Sequence, residues 1–209
     1  MSPKETNDEN EEKLDFKIEN VVGTVFVQSE GKLDLVHISR KIPDVEYNPE
    51  RFPGVIMRIE NPRATFLIFT TGKMVLTGLK KASQAKAAVD KAVKKLIKTG
   101  IKVWDPEIAI VNIVASGDLG VHVDLNMAAL VMEYAMYEPE VFPGLIYRLQ
   151  DPRAVFLIFS TGKIVCTGIK NENLVADAVK KLKKEIEELD LTVDTEYGGS
   201  QEYQDITFL

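Results

Sequence analysis

The chain carries the same 34-residue passage twice, and no other feature narrows its possible folds as far. Residues 47–80 read YNPERFPGVIMRIENPRATFLIFTTGKMVLTGLK, and residues 137–170 read YEPEVFPGLIYRLQDPRAVFLIFSTGKIVCTGIK. At an offset of 90 they agree at 22 of 34 positions, among them Phe52/Phe142, Arg58/Arg148, Phe69/Phe159, Lys73/Lys163 and Thr77/Thr167. Two copies of this length make a duplicated half-domain, because solenoid arrays stack more and shorter units to bury a core. Two like halves build a pseudo-two-fold object, and such an object suits a target that is itself nearly two-fold, as duplex DNA is.

Charge is distributed in a way that fits this idea. The net charge is −6, but residues 1–15 hold −4 and residues 185–209 hold −8, which leaves residues 16–184 at +6. A basic body between acidic ends is compatible with a polyanionic partner. A solvated surface with acidic ends for solubility fits the same charge, so charge alone leaves both readings open. No apolar run approaches the roughly 20 residues needed to span a bilayer. The opening MSPKETNDENEEKLD is acidic and polar, unlike a secretory or transit signal, and reads as a disordered leader. A single cysteine, Cys166, allows no internal disulfide and fits a reducing compartment. It lies in a strand-like run, where a buried, inert thiol is expected.

Each half reads as strand, short helix, three strands and a long helix. The β-branched runs Lys17–Gln28 and Ile108–Asp118 open the halves, with Asn20 and Asn112 aligned at an offset of 92. Short helices are expected near Leu33–Arg40 and Asn126–Tyr134. Strands follow at Gly54–Ile59, Ala64–Thr70 and Lys73–Leu79, and again at Gly144–Leu149, Ala154–Ser160 and Lys163–Ile169. Asn61-Pro62 and Thr71-Gly72 supply the turns of the first set. Helical spacing predicts Ser83–Lys98, capped by Ser83 and stopped at Gly100, and Asn173–Leu189. The boundaries are then a leader at 1–15, a first repeat at 16–100, a linker at 101–107 holding Trp104 as a core anchor, a second repeat at 108–190 and an acidic tail at 191–209. Both FLIF runs (66–69 and 156–159) are apolar on both parities, which asks for cover on both sheet faces. One long helix per half covers only one of them.

The doubled set N-[IV]-V, [YF]-x-P-E-x-F-P-G-[VL]-I-x-R and F-L-I-F-x-T-G-K-x-V-x-T-G closely resembles the TATA-box-binding protein family, over about residues 16–190 and in both halves. The composition resembles archaeal members. The resemblance implies an α+β fold: a saddle-shaped, curved antiparallel β-sheet with four helices on the convex side, built from two pseudo-symmetric repeats. It implies a general transcription initiation factor that binds A·T-rich promoter DNA in the minor groove, without cofactor or metal.

The same resemblance assigns residues. In the minor groove an A·T pair offers only acceptors, while G·C adds an amino donor. Asn20 and Asn112 would donate amide hydrogens to those acceptors, with Thr77 and Thr167 adding hydroxyls. Val22, Leu67, Val75, Val114, Leu157 and Val165 would form an apolar floor that leaves a guanine amino group unpaired, at about 1–3 kcal/mol. Phe52 with Phe69, and Phe142 with Phe159, match wedge pairs that unstack base steps and kink the duplex, a mode of which this family is itself a standard example. Arg58, Lys73, Arg148 and Lys163 match phosphate contacts, which hold register without reading bases. Glu138, Glu140 and Val141 match the loop that engages transcription factor B, with RNA polymerase recruited indirectly. Glu50 is shared by the first repeat, and the contrast of Arg51 with Val141 would direct the partner to one half. Phe66 and Phe156 share the opposite strand parity and are expected to pack. Halves this similar set polarity poorly through DNA alone, so transcription factor B and flanking sequence are expected to decide direction.

Other classes find little support. His37 and His122 are not at equivalent repeat positions and have no cysteine or second histidine at ligand spacing. No nucleophile elbow or phosphate loop occurs, and the pair Glu138/Glu140 lacks convergent partners for acid–base catalysis. A DNA-holding part of a nucleic-acid enzyme would need further length for a catalytic domain. An interaction scaffold whose apolar concave face binds a partner or a second copy, as a homodimer off DNA, is the remaining rival. An archaeal member would work in the cytoplasm on the nucleoid, a eukaryotic one in the nucleus.

Overall fold

A computed structural model of the chain describes residues 15–193. The first half runs β1 (Asp15–Ser29), α1 (Leu35–Lys41), β2 (Val45–Glu46), β3 (Val55–Ile59), β4 (Ala64–Ile68), β5 (Lys73–Leu79) and α2 (Ala85–Lys98). The second runs β6 (Val103–Asp118), β7 (His122–Val123), α3 (Leu125–Val131), β8 (Ala135–Met136), β9 (Leu145–Gln150), β10 (Arg153–Ile158), β11 (Lys163–Ile169), α4 (Glu172–Glu188) and β12 (Thr192–Val193). Ten strands form one sheet in the order β2-β3-β4-β5-β1-β6-β11-β10-β9-β8, and β12 pairs with β7 apart from it. The order is palindromic about the β1–β6 joint, so the pseudo-two-fold axis passes between these two strands. All pairings are antiparallel, and the sheet is open, not closed into a barrel.

Strict alternation decides which face is covered. Val21, Val25 and Val27 of β1, Met57 of β3, Phe66 and Ile68 of β4, and their second-half mates Ile113, Tyr147, Phe156 and Ile158 are buried. Ala88, Val89, Ala92 and Leu96 of α2 and Val175, Ala178, Val179, Leu182 and Ile186 of α4 pack on the same core. Phe66 and Phe156 are fully buried and pack as their parity predicts. The described core holds no buried polar or charged residue. Leu67 and Leu157 lie on the opposite face, half-buried, and none of the described elements supplies the second cover that the FLIF runs ask for.

The structure departs from the sequence reading in four places. The strand β6 starts at Val103, and Ser29↔Val103 and Gln28↔Trp104 pair across the joint, where a linker is expected. Trp104 is 41% exposed and donates its indole N–H to Gln28 Oε1 at 3.1 Å, so it is no core anchor. Ser83 does not cap α2: a 3-10 turn, Ala82–Gln84, precedes that helix, and the Ala82 N–H donates to the Glu172 carboxylate in the other repeat. Finally, Asp15 already belongs to β1, and the 191–209 segment begins with ordered Leu191, Thr192 and Val193, the last two in β12. The rest of both acidic ends lies outside the described residues. The two-residue mismatch between repeats also has an address. Val27 and Leu119 donate equivalently to Gly72 and Gly162, as Leu33 and Val123 do to Thr70 and Ser160, with five residues between in one half and three in the other.

Replacing either core phenylalanine tests this packing. Phe66→Ala or Phe156→Ala should lower unfolding free energy by about 3–5 kcal/mol in denaturant titration, because each leaves a large void that the sheet cannot close.

Candidate nucleic-acid interface

The uncovered sheet face carries one unbroken stripe. Cross-strand register links Ile56, Leu67, Val75 and Thr24 in the first half, and Ile146, Leu157, Val165 and Ser116 in the second. At the joint Asn20 lies opposite Val114, and Val22 opposite Asn112. All ten residues that the sequence assigns to base edges and floor fall on this face, each half-buried. Ile56, Ile146, Thr24 and Ser116 complete the stripe and were not singled out by sequence. Strand parity alone points to Ile56 and Ile146, two positions before Arg58 and Arg148. The other two need the register.

Two glycines orient the central amides. Asn20 Oδ1 accepts the Gly78 N–H at 2.8 Å, and Asn112 Oδ1 accepts the Gly168 N–H at 2.9 Å. A backbone N–H can only donate, so each amide oxygen is fixed and the nitrogen turns the other way. The Thr77 hydroxyl lies 3.1 Å from Asn20 Nδ2 and 3.2 Å from its Oδ1, and the Thr167 hydroxyl lies 3.0 Å from Asn112 Nδ2 and 3.2 Å from its Oδ1. One N–H of each amide stays available for an outside acceptor. Gly78 and Gly168 reach these oxygens with φ of +92° and +86°, a region side chains rarely adopt. The register shifts in β5 and β11 at the same place. The T-G step in each repeat is therefore part of the amide device.

Each end of the face carries a pair of phenylalanines. Phe52 and Phe69 have ring centroids 5.6 Å apart at 60°, and Phe142 and Phe159 are 6.0 Å apart at 63°, both within the range of favourable tilted packing. The glycine of F-P-G makes room for them. A Cβ on Gly54 would lie 2.8 Å from Phe52 Cε1, and one on Gly144 2.7 Å from Phe142 Cε1. Phe69 and Phe159 hold hairpin turns, each accepting from Gly72 or Gly162 and donating to Lys73 or Lys163.

Charged groups rim the stripe unevenly. Arg58, Lys73, Arg148 and Lys163 are exposed on the strand parity of the floor. Arg58 Nη1 lies 2.5 Å from Glu46 Oε1, whereas Met136 occupies the position of Glu46 in the second half. Glu19, at a bulge in β1, accepts from Lys80 and Lys17 at 2.9 Å each and from Ser116 Oγ at 2.7 Å. The bond from Lys80, then those from Lys17 and Ser116, hold its carboxyl down to about 2 against burial. Its repeat mate, Val111, is apolar. Glu138, Glu140 and Val141 are all exposed, Val141 at 79%. Cys166 is buried, and burial pushes its thiol up to about 12, as befits an inert core residue. Among the described residues no group of histidine, cysteine or carboxylate side chains could hold a metal. No described helix is long and apolar enough to cross a membrane.

Comparison with known proteins gives the family. Residues 15–99 and 107–189 each match the family described as transcription factor TFIID, or TATA-binding protein. The chain belongs to the TATA-binding protein family. It is 52% identical over 182 residues to the TATA-box-binding protein of Aeropyrum pernix, covering 87% of this chain and 89% of that one. It is 51% identical to the relative in Sulfolobus acidocaldarius, over 83% and 87% of the two chains. The solved TBP of Methanococcus jannaschii superposes with a TM-score of 0.74 at 43% identity, covering 83% of this chain and 99% of that chain. These likenesses are to archaeal proteins, and they give the saddle-shaped α+β fold expected from the sequence. Members of this family are DNA-binding transcription factors, not enzymes.

Two outcomes check the site. Gly144→Ala should shift the ring resonances of Phe142 and Phe159 and leave those of Phe52 and Phe69 unmoved. Glu19 has a depressed folded pKa, so its contribution is complete above its ordinary 4.5 and disappears as pH falls towards about 2. Glu19→Gln should therefore flatten the loss of thermal stability across that window.

Proposed function

We propose that this chain binds A·T-rich promoter DNA of the TATA-box type through the minor groove, kinks it with two phenylalanine pairs, and recruits transcription factor B and thereby RNA polymerase. The observation that carries the reading is one continuous half-buried apolar stripe, with two oriented amides at its centre and a ring pair at each end. A minor-groove floor offers acceptors along A·T pairs, and the amide hydrogens of Asn20 and Asn112 complement them. Val22, Leu67, Val75, Val114, Leu157 and Val165 accept the rest of the groove without polar demand. A guanine amino group placed on that floor loses its water and finds no acceptor. Selection against G·C is thus partly exclusion.

Inserted rings of Phe52/Phe69 and Phe142/Phe159 unstack a base step at each end, and the open groove then follows the curved sheet. Flexible pyrimidine–purine steps lower that deformation cost, so sequence is read through bendability as well as through contacts. Arg58, Lys73, Arg148 and Lys163 grip phosphates along the rim. The pairing of Arg58 with Glu46, absent from the Arg148 side, weakens one grip relative to the other. Glu138, Glu140 and exposed Val141 offer transcription factor B a loop set apart from the DNA face, and this partner sets the direction of the complex. Binding of an asymmetric promoter in a single orientation by the isolated protein would contradict that last point.

The exposed stripe also favours a second reading, in which the same face pairs two copies off DNA. Fluorescence transfer across a TATA-type duplex and a G·C-rich control separates the two. A·T-selective binding with a sharp bend supports promoter bending, and binding to neither duplex with transcription factor B present favours the scaffold. Phe52→Ala with Phe142→Ala should abolish the bend. Arg148→Ala should weaken binding to all sequences and reduce the log–log salt slope by about 0.9, the value for one phosphate contact.

A further inference from the structure

The open face does not end at Thr24. Phe26 and Gln28 continue the same parity of β1, and Trp104 lies directly opposite Gln28 on β6. Phe26 and Trp104 are both exposed. Trp104 donates its indole N–H to Gln28 Oε1 at 3.1 Å, and an indole N–H can only donate. That bond assigns the Gln28 oxygen and leaves its amide nitrogen to donate outward. With Thr71 and Lys32 these side chains wall a cavity of about 530 Å³ at the edge of the face. Lys73 of the charged rim sits opposite Phe26 on β5. Two aromatic rings, an amide donor and a cation therefore meet at one edge of the stripe.

The other repeat serves as a control. Its ladder keeps the same register: Asp118 faces Lys163 on β11 and Asp15 on β1, as Phe26 faces Lys73 and Glu107. Each edge thus has a lysine and an acid in common. Where the first edge adds Phe26 and Gln28, the second has Asp118 and Gly120. A matching ladder manages with aspartate and glycine, so the fold does not require an aromatic ring at this register. The exposed rings of the first edge call for a ligand instead. A duplex laid along the stripe presents alternating deoxyriboses and phosphates outside its base edges. The sugar is the apolar element of that backbone and suits an aromatic face, while the phosphate beside it needs donors and a cation.

We propose that Trp104 and Phe26 seat a deoxyribose of one promoter strand, with Gln28 donating to its phosphate beside Lys73, at the first-half edge only. This rests on the DNA reading of the stripe and adds to it a contact that positions the duplex without reading bases. The grip of the two halves becomes unequal in a second way. The aromatic edge offsets, within the first half, the hold that Glu46 takes from Arg58.

Trp104 is the only tryptophan, so its emission reports this edge alone. The full chain is titrated with a TATA-type duplex whose bending is read separately by fluorescence transfer, and acrylamide is then added. In the bent complex acrylamide should lose most of its quenching of Trp104. Nuclear Overhauser contacts from the Trp104 ring should reach deoxyribose protons and no base proton. Trp104→Ala should lower affinity about tenfold on TATA-type duplexes of different sequence alike. The log–log salt slope should stay unchanged, because a sugar contact releases no counterion. Trp104→Phe should recover most of the affinity, and Phe26→Asp, which copies the second repeat on a matching ladder, should weaken binding. A bent complex in which acrylamide quenches Trp104 as in the free chain would overturn the proposal and leave the DNA reading standing. Contacts to base protons, or a Trp104→Ala loss confined to one sequence, would replace it with base reading. Binding to no duplex at all would overturn both.

Discussion

Everything in this molecule hangs on the pairing of β1 with β6. Each is the last strand of its own five-stranded half, and each would be an exposed edge without the other. Their long antiparallel ladder, from Asp15↔Asp118 to Ser29↔Val103, joins two five-stranded halves into one surface. It also fixes where the functional side chains meet. Asn20 opposite Val114 and Val22 opposite Asn112 place both amides beside the pseudo-two-fold axis. A slip of one residue would turn both amides into the core and bring buried valines out to the open face. The buried valines on one parity therefore enforce the position of the polar groups on the other.

The division of labour between the two sheet faces follows. One face is closed by α2 and α4 over a core that, among the described residues, holds no buried polar group. The other carries an apolar stripe that no described element covers, which costs solubility unless something covers it. In the proposed function that cover is the minor groove of promoter DNA, with the ring pairs and oriented amides shaping the contact. In the proposed function preorganisation matters, because distorting DNA is costly. Gly78 and Gly168 hold the amides, and Gly54 and Gly144 seat the rings, before any duplex arrives.

Much of this was legible in the sequence because duplication doubles the evidence for every motif. The alternation of Phe66 and Leu67 told core from open face, and the FLIF runs told that one cover was missing. What escaped had a common cause: it depended on register or on residues distant in the chain. The capture of Asn20 by Gly78 spans 58 positions, and that of Asn112 by Gly168 spans 56. Trp104 reads as a core residue by its type, yet cross-strand pairing with Gln28 leaves it on the open side. Ser83 has the chemistry of a cap, but Glu172 from the other repeat ties down the start of that helix. The inequality of the two rims, with Glu19 against Val111 and Glu46 against Met136, was present in the alignment and gained meaning only when the charges were seen beside the stripe.

The central claim is that the stripe reads the minor-groove edge of the base pairs, and base analogues test it directly. An inosine·cytosine pair shows the major-groove edge of G·C but the minor-groove edge of A·T, while diaminopurine·thymine adds a minor-groove amino group to an A·T pair. Affinity should survive full inosine·cytosine substitution of the site and be lost with diaminopurine·thymine. The reverse order, with inosine·cytosine rejected like G·C and diaminopurine·thymine accepted, would place recognition in the major groove and contradict the account.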